Sequence, residues 1–185
     1  MAFRKGAAVI TGPGAGSGTL YTEQHQPLTI YNMELGYATA MAVGIALSAP
    51  AQRVIALEGD GSMIAGMPVL STIARLQPPN LTVLVLDNGV YGTGSGDETT
   101  ATSHGTDLAA VARACGMSSD HVLSAADLDG LERALRQAAA APGPWFVIAP
   151  IDRSDAKPTA ERPKPAIDIV EAAITFRLAM LARMQ

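Results

Sequence analysis

The sequence predicts an α/β fold, a doubly wound parallel sheet with helices on both faces, followed by a C-terminal arm and helix. Short apolar runs at residues 7–11, 53–58, 81–87 and 145–150 are typical of buried strands in such a sheet. Longer stretches with the spacing of amphipathic helices separate these runs. This alternation favours parallel strands that are joined by crossover helices.

The first half of the chain predicts a strand, a loop and a long helix in turn. The strand at 7–11 is followed by a glycine-rich segment at 12–18, which we interpret as a flexible loop. Asn32 is a candidate N-cap for a helix that begins at Met33 or Glu34 and ends at residue 48, before Ala49-Pro50. The other predicted elements are strands at 53–58, 81–87, 121–123 and 145–150 and helices at 62–76, 107–115 and 126–141.

The C-terminal part of the chain differs in composition from the rest. We expect residues 1–150 to form one domain and residues 151–185 to form an arm and a helix that pack on this domain or on a partner. Residues 151–165 are polar and contain three prolines, whereas helical periodicity returns at 166–184. The apolar positions of this last helix are Ile167, Val170, Ile174, Leu178 and Leu181.

Composition excludes several functional classes. The net charge is −4 and no useful cluster of basic residues is present, which argues against a nucleic-acid surface. The longest apolar stretch, residues 35–49, is interrupted by polar and glycine residues and is shorter than the roughly 18 residues that span a membrane. The single Cys115 and the lack of a secretory signal pattern favour a cytoplasmic protein.

The glycine-rich segment at 12–18 does not match a nucleotide-binding motif. Counting from Gly12 and Gly14, the third glycine of a dinucleotide fingerprint would stand at position 17, which is Ser17. No lysine follows to complete a phosphate-binding loop of the Walker type. We therefore interpret the segment as a mobile loop or as a loop near a partner's active site.

Two polar motifs follow predicted strands and predict a metal-diphosphate site. The sequence Gly-Asp-Gly-Ser at 59–62 ends one strand and opens a helix, and Asn88 ends the next strand, 28 residues after Asp60. The carboxyl ends of parallel strands meet at one edge of a sheet, where free amides at helix starts attract phosphate. Mg²⁺ commonly combines a few oxygen ligands from protein with phosphate oxygens. The alternative is that Asp60 only caps its helix and Asn88 only forms a turn with Gly89.

These motifs resemble the diphosphate-binding domain of the thiamine diphosphate-dependent decarboxylase superfamily. Its signature is Gly-Asp-Gly followed about two dozen residues later by Asn, which Asp60 and Asn88 match with their neighbours. The resemblance implies that thiamine diphosphate and Mg²⁺ are the cofactors, and that the metal is held by Asp60, Asn88 and the main-chain carbonyl of Val90. Ser62 and Gly92 would lie beside the diphosphate, and Gly59, Gly61 and Tyr91 are further implied cofactor-binding residues.

A second segment resembles the glycine-rich helix start of the same family. Leu35, followed by Gly36, corresponds to the bulky side chain that supports the bent cofactor, and Met33 to a main-chain contact with the aminopyrimidine. The family often has small residues where this chain has Met33 and Glu34. Glu34 is a candidate for a substrate-facing role or for stabilising the helix dipole. His104, in the polar loop after Asn88, is a candidate proton donor or a surface residue.

The likeness is closer to sulfopyruvate decarboxylase β subunits and phosphonopyruvate decarboxylases, and it rests on residues 57–62, 85–92 and 106–116. It implies a β subunit of a heteromeric decarboxylase that acts on a small 2-oxo acid, favouring sulfopyruvate or phosphonopyruvate. In this family the glutamate that activates the cofactor lies on a pyrimidine-binding domain. The chain would therefore supply half of an active site, completed by an α subunit of similar length, with at least two chains of each. The alternatives are a carboligase subunit that resembles acetolactate synthase and a non-catalytic cofactor-binding module.

Overall fold

A parallel β-sheet forms the centre of the protein. The computed structural model describes residue 4 and residues 6–92, 98–152 and 163–183. The strands in this part of the chain are β1 (Ala8–Thr11), β2 (Thr29–Ile30), β3 (Val54–Gly59), β4 (Leu81–Asp87), β5 (Val122–Ser124) and β6 (Trp145–Pro150). These six pair in parallel in the order β2-β1-β3-β4-β6-β5.

Helices cover both faces of the sheet, which confirms the predicted fold class. They are α1 (Ala15–Gln24), α2 (Ala38–Ser48), α3 (Asp60–Ala65), α4 (Val69–Leu76), α5 (Leu108–Ala114), α6 (Leu128–Ala140) and α7 (Ile169–Leu181), with short 3₁₀ helices at Ala101–His104 and Ser119–His121. The largest apolar cluster joins the sheet to α2, α4, α5 and α7 through Ala42, Leu70, Ala112 and Phe176. Two smaller clusters on the opposite face include Leu20 of α1 and Leu135 of α6.

The helix expected from Met33 or Glu34 begins later, at Ala38. Asn32 is not its N-cap: its φ is 51°, in the left-handed region, and its N–H donates to the side chains of Thr11 and Ser17. Gly36 also has a positive φ, 86°, which glycine adopts without strain. The chain between these residues is therefore a turn at the carboxyl edge of the sheet.

The helix expected over 62–76 is divided into α3 and α4. Pro68 lies at the division and has no N–H for a helical hydrogen bond. Gly66 packs against the turn before α2, where a Cβ on Gly66 would lie 2.4 Å from the carbonyl oxygen of Gly36. This close approach of two backbones brings the turn before α2 next to α3.

The segment at 12–18 is not a flexible loop, because α1 begins at Ala15. Its small residues permit close packing: a Cβ on Gly18 would overlap the main chain of Pro163 at 1.6 Å. The two-residue strand β2 is too short to be predicted from alternation. In contrast, strands β4 and β6 have the bounds that the sequence predicts.

The last helix, α7, is apolar on two sides. Ala172 and Phe176 are buried against the domain. Of the predicted apolar stripe, Ile167 packs against the domain, whereas Val170, Ile174 and Leu178 face outward and are each more than half exposed. In the described ranges, no helix combines the length and apolar character needed to cross a membrane.

Candidate functional site

A cleft with a volume of about 270 Å³ opens at the carboxyl ends of β1, β3 and β4. Its walls come from residues 12–17 after β1, residues 57–62 at the end of β3, and residues 90–92 after β4, together with Leu35 and Asn88. Ile151 and Asp152, which follow β6, also line it, so five separate segments of the chain meet at one edge of the sheet. The cofactor residues predicted from the sequence line this cleft, with the exception of Met33.

The register of the sheet explains this convergence. Gly59 pairs with Leu86, so Asp60 and Asp87 follow at the same level on neighbouring strands. On the other side of β3, Thr11 pairs with Leu57, which brings Gly12 level with Glu58. Parallel pairing thus places the ends of three strands side by side, as expected for ligand sites in open α/β sheets.

Asp60 is the buried carboxylate of the cleft. It begins α3 directly after Gly59 and is only 2% exposed. Gly61 is required beside it, because a Cβ there would lie 2.5 Å from the ring of Tyr91. The ring of Tyr91 and the start of α3 are thereby in direct contact.

Two threonines of the loop after β4 hold this carboxylate. Thr100 is fully buried and donates its hydroxyl hydrogen to Asp60 Oδ2. Thr102 Oγ1 lies 3.0 Å from Asp60 Oδ2 and 2.8 Å from Asp87 Oδ1. We missed this role of Thr100 and Thr102 in the sequence, because nothing in a loop rich in Gly and Thr distinguishes these two hydroxyls from the others.

Asp87 and Asn88 each bind an amide of the following turn. Gly89 N–H donates to Asp87 Oδ1 at 3.0 Å, and Val90 N–H donates to Asn88 Oδ1 at 3.1 Å. The turn in the alternative interpretation of Asn88 is thus present, but Asn88 also lines the cleft. Burial raises the pKa of the Asp87 carboxyl, and the negative charge of Asp60 raises it further, while hydrogen bonds from Thr102 and Gly89 oppose these effects.

The start of α1 is a part of the cleft that the sequence interpretation did not recognise. Residues 12–17 line it, and the N-cap Gly14 makes no side-chain hydrogen bond to the helix. The first turn of α1 contains no acidic residue. Free amides at such a helix start favour an anion. The pattern of strand, glycine, small residues and helix, which recurs at 59–62, is the signal that could have found it.

Glu58 is a second residue missed at this edge. It is 2% exposed, and its Oε1 accepts hydrogen bonds from both the N–H and the hydroxyl of Thr39, each at 2.9 Å. Burial raises the pKa of the Glu58 carboxyl, and the nearby Ser62 hydroxyl and the Thr39 groups lower it by less. The Ser62 hydroxyl also accepts the N–H of Gly36 at 3.0 Å.

The remaining candidates lie at different depths. Leu35 lines the cleft and is 44% exposed. Met33 packs against the main apolar cluster instead of lining the cleft. Glu34 is exposed, and His104 is exposed with Nε2 2.8 Å from Thr99 Oγ1. Neither Glu34 nor His104 lines the cleft.

Comparison with known families explains this arrangement. Residues 14–149 match the family described as thiamine pyrophosphate enzyme, C-terminal TPP binding domain. The chain belongs to this family. The match includes β3, β4 and both turns that carry Asp60 and Asn88.

Relatives at moderate identity agree with the family. The chain is 37% identical over 146 residues to a phosphonopyruvate decarboxylase of Streptomyces hygroscopicus, covering 78% of this chain and 35% of that protein. It is 35% identical over 149 residues to the sulfopyruvate decarboxylase subunit beta of Methanothermobacter thermautotrophicus, covering 80% and 75% respectively. The chain thus spans about a third of the Streptomyces protein and about three quarters of the subunit.

The fold is also similar to that of a solved structure. A protein of Mycobacterium smegmatis, described as a thiamin diphosphate-dependent enzyme, matches with a TM-score of 0.64 and 26% identity. The match covers 78% of this chain and 28% of that one. The thiamine diphosphate-binding fold is therefore shared by a protein that is much longer than this chain.

The residues of the cleft suit a diphosphate held with a divalent cation. Asp60 supplies one buried carboxylate, Asn88 an amide oxygen, and the start of α1 main-chain amides that no side chain caps. Within the described ranges, no group of three or more His, Cys, Asp or Glu side chains could hold a metal. Phosphate oxygens usually complete the ligand set of Mg²⁺ where the protein supplies few oxygen ligands.

Proposed function

We propose that this chain is the cofactor-binding β subunit of a heteromeric, thiamine diphosphate-dependent 2-oxo acid decarboxylase. The observation that carries the proposal is the single cleft that joins Asp60, Asn88 and Val90 to the start of α1. In a member of this family, that combination of a buried carboxylate, an amide oxygen and free helix amides suits a metal-bound diphosphate.

Each wall of the cleft has a distinct task in this proposal. Asp60, Asn88 and the carbonyl of Val90 would hold Mg²⁺, while Ser62, Gly92 and the first turn of α1 would lie beside the diphosphate. Leu35 presents an apolar side chain to the cleft, where it would support the bound cofactor. When bound, thiamine diphosphate supplies the carbon nucleophile and the electron sink that allow a 2-oxo acid to lose CO₂. The protein residues contribute binding, orientation and exclusion of water.

Exposed apolar surfaces support the need for a partner. Helix α2 contains no charged residue, and Tyr37 before it and Leu47 near its end are 62% and 47% exposed. The outward face of α7 adds three exposed aliphatic side chains, those of Val170, Ile174 and Leu178. Apolar patches of this kind usually mark protein interfaces. We assign them to contacts with a pyrimidine-binding α subunit, which would bring the activating glutamate, and with further copies in an assembly of at least two chains of each.

The relatives favour sulfopyruvate or phosphonopyruvate as the substrate. Among the described residues that line the cleft, none is Arg or Lys. The sulfonate or phosphonate group would therefore meet cationic groups outside this set of residues, and the partner subunit is the natural source. Specificity for the sulfonate or phosphonate group of the substrate is then a property of the assembled enzyme.

The experiment is to purify the chain from its own cells with any subunit that accompanies it, and to assay CO₂ and aldehyde release. Sulfopyruvate and phosphonopyruvate are compared with pyruvate and benzoylformate, with and without Mg²⁺ and thiamine diphosphate. We expect cofactor-dependent aldehyde release only when a second chain is present. A hydroxyketone product would indicate carboligation instead, and full activity of the isolated chain would refute the half-site proposal.

A further inference from the structure

Glu58 is a buried acidic residue with an incomplete set of hydrogen bonds. Its Oε1 accepts two hydrogen bonds from Thr39, but its Oε2 is buried and has no hydrogen-bond partner among the described residues. Burying a carboxyl group is costly unless its interactions compensate for the lost water. A residue with this cost at the edge of a binding cleft therefore needs an explanation beyond packing.

Glu58 lies at the junction of three segments that line or support the cleft. Its partner Thr39 is in the first turn of α2, immediately after the turn that carries Leu35. Ser62, in α3, approaches the same carboxyl group and accepts the N–H of Gly36 from that turn. Gly12 completes the junction, since a Cβ on Gly12 would lie 2.2 Å from Glu58 Oε2.

We propose that Glu58 is a positioning residue: it fixes the turn that carries Leu35 against the turn at 59–62, and so sets the affinity for the cofactor. The proposal rests on the function proposed above. Leu35 and the 59–62 turn belong to segments that are far apart in sequence, and they must stand at a fixed separation to contact two ends of one ligand. The bonds from Thr39 to Glu58 and from Gly36 to Ser62 provide this fixed separation.

The two carboxyl oxygens of Glu58 have different surroundings, and each contributes to the positioning role. Oε1 is used to hold the main chain and side chain of Thr39, which prevents α2 from sliding along β3. Oε2 lies against Gly12, where only a hydrogen atom fits. The start of the segment that leads to α1 is thereby kept close to the same carboxyl group. One side chain thus aligns all three glycine-containing turns of the cleft.

Substitutions of Glu58 and of its partner Thr39 test the proposed positioning role. Glu58→Gln retains an acceptor for Thr39, whereas Glu58→Met retains length without any acceptor. Thr39→Val removes the hydroxyl donor from the other side, and the double variant with Glu58→Met completes a thermodynamic cycle. Thr82→Val is the matched control, because Thr82 is also a buried threonine but lies near the start of β4, away from the cleft.

Two measurements separate positioning from general stability. Amide hydrogen exchange at Gly36 and Thr39 in the free chain reports whether the turn is held, and a thiamine diphosphate titration in Mg²⁺ reports affinity in the purified complex. We expect Glu58→Met to speed exchange at both amides and to raise the dissociation constant by about 10- to 100-fold, the range seen when supporting residues of a site are removed. Glu58→Gln should stay within about threefold of wild type, and the double variant should show less than the sum of the single effects.

Several results would overturn the proposal. If Glu58→Met accelerates exchange but changes the dissociation constant no more than Thr82→Val does, Glu58 has only a structural role. If Glu58→Gln is as damaging as Glu58→Met, charge and not placement is the cause. If Glu58→Met does not fold, unchanged amide exchange and unchanged affinity in Thr39→Val would show that the hydroxyl bond from Thr39 to Glu58 does not set the cofactor affinity. Failure of the wild-type complex to bind thiamine diphosphate would refute the proposed function itself, and hydrogen exchange in the free chain would still decide whether Glu58 holds the turn.

Discussion

Two turns at the same edge of the sheet both join a strand to a helix, but their chemistry is opposite. Residues 12–17 link β1 to α1, and residues 59–62 link β3 to α3; both line the cleft, and neither helix start has a side-chain cap. The first turn contains no acidic residue, whereas the second contains the buried Asp60. The two strand-to-helix connections therefore suit different ions: the neutral turn suits an anion and the acidic turn suits a cation.

A substitution in the acidic turn should weaken cofactor binding more than one in the neutral turn. Asp60→Asn keeps the shape of the side chain but removes the charge that attracts Mg²⁺. We expect the affinity for thiamine diphosphate in Mg²⁺ to fall by at least about 100-fold, which is roughly 2.7 kcal/mol of binding free energy. Isothermal titration of the purified complex measures this change. The control is Asp127→Asn at the exposed start of α6, and equal affinities in the two variants would remove Asp60 from the metal site.

Loss of the hydrogen bond that supports Asp60 is expected to have the second largest effect on cofactor binding. Thr100→Val removes the hydroxyl that donates to Asp60 Oδ2 while preserving the volume of the side chain. Because hydrogen bonds orient metal-binding carboxylates, we expect Mg²⁺ to bind about 10- to 100-fold more weakly. Thr100→Ser should restore most of the affinity. Thr99→Val is the control, since Thr99 is exposed and contacts His104 instead of Asp60, and a loss of the same size there would contradict the assignment.

The neutral turn is tested by adding a methyl group. In Gly12→Ala the new Cβ would lie 2.2 Å from Glu58 Oε2, whereas in Gly16→Ala the nearest atom, on Leu86, is 3.5 Å away. We expect Gly12→Ala to weaken cofactor binding about tenfold, because one residue must move, and Gly16→Ala to stay within about threefold. Titration of both variants under the same conditions compares them. A stronger effect at Gly16 would show that room for the ligand, and not packing on Glu58, limits this turn.

The smallest expected effect is on the pH dependence of the unfolding free energy, and it concerns Asp87, next to the acidic turn. The raised pKa of Asp87 means that the folded chain holds this proton more tightly than the unfolded chain does. In the absence of metal, the associated stability is therefore present below about pH 4 and is lost as the pH rises through the folded pKa. Asp87→Asn should flatten this decline in the unfolding free energy, as measured by urea denaturation across the pH range. A steeper decline in Asp87→Asn would show that folding lowers the pKa of Asp87 instead of raising it.

Comparing the two turns also explains what the sequence could predict. Asp60 and Asn88 stand out because charged and amide side chains directly follow apolar strands, and the length between them matches one helix and one strand. The neutral turn at 12–17 has only small residues, whose pattern is typical of a loop. The helix that follows it also packs on a distant segment, since a Cβ on Gly18 would overlap the main chain of Pro163.

Long-range packing likewise hides Glu58 and the start of α2 from sequence analysis. In the sequence, Glu58 is one charged residue within an apolar strand. Its proposed positioning role depends on hydrogen bonds from Thr39, 19 residues earlier. The helix start moves from Met33 or Glu34 to Ala38 because Asn32 binds Thr11 and Ser17, and because Gly36 packs on Gly66. Local helix signals contain none of these contacts. The apolar strands, in contrast, follow from composition alone, since both faces of the central sheet are buried.

The function proposed for this cleft is to bind thiamine diphosphate through a divalent cation. The most direct measurement is a titration of the purified complex with thiamine diphosphate, first in Mg²⁺ and then in excess chelator. We predict saturable binding in Mg²⁺ that is lost in chelator and in Asp60→Asn. Binding of equal strength with and without the metal, or no binding at millimolar cofactor, would contradict the account.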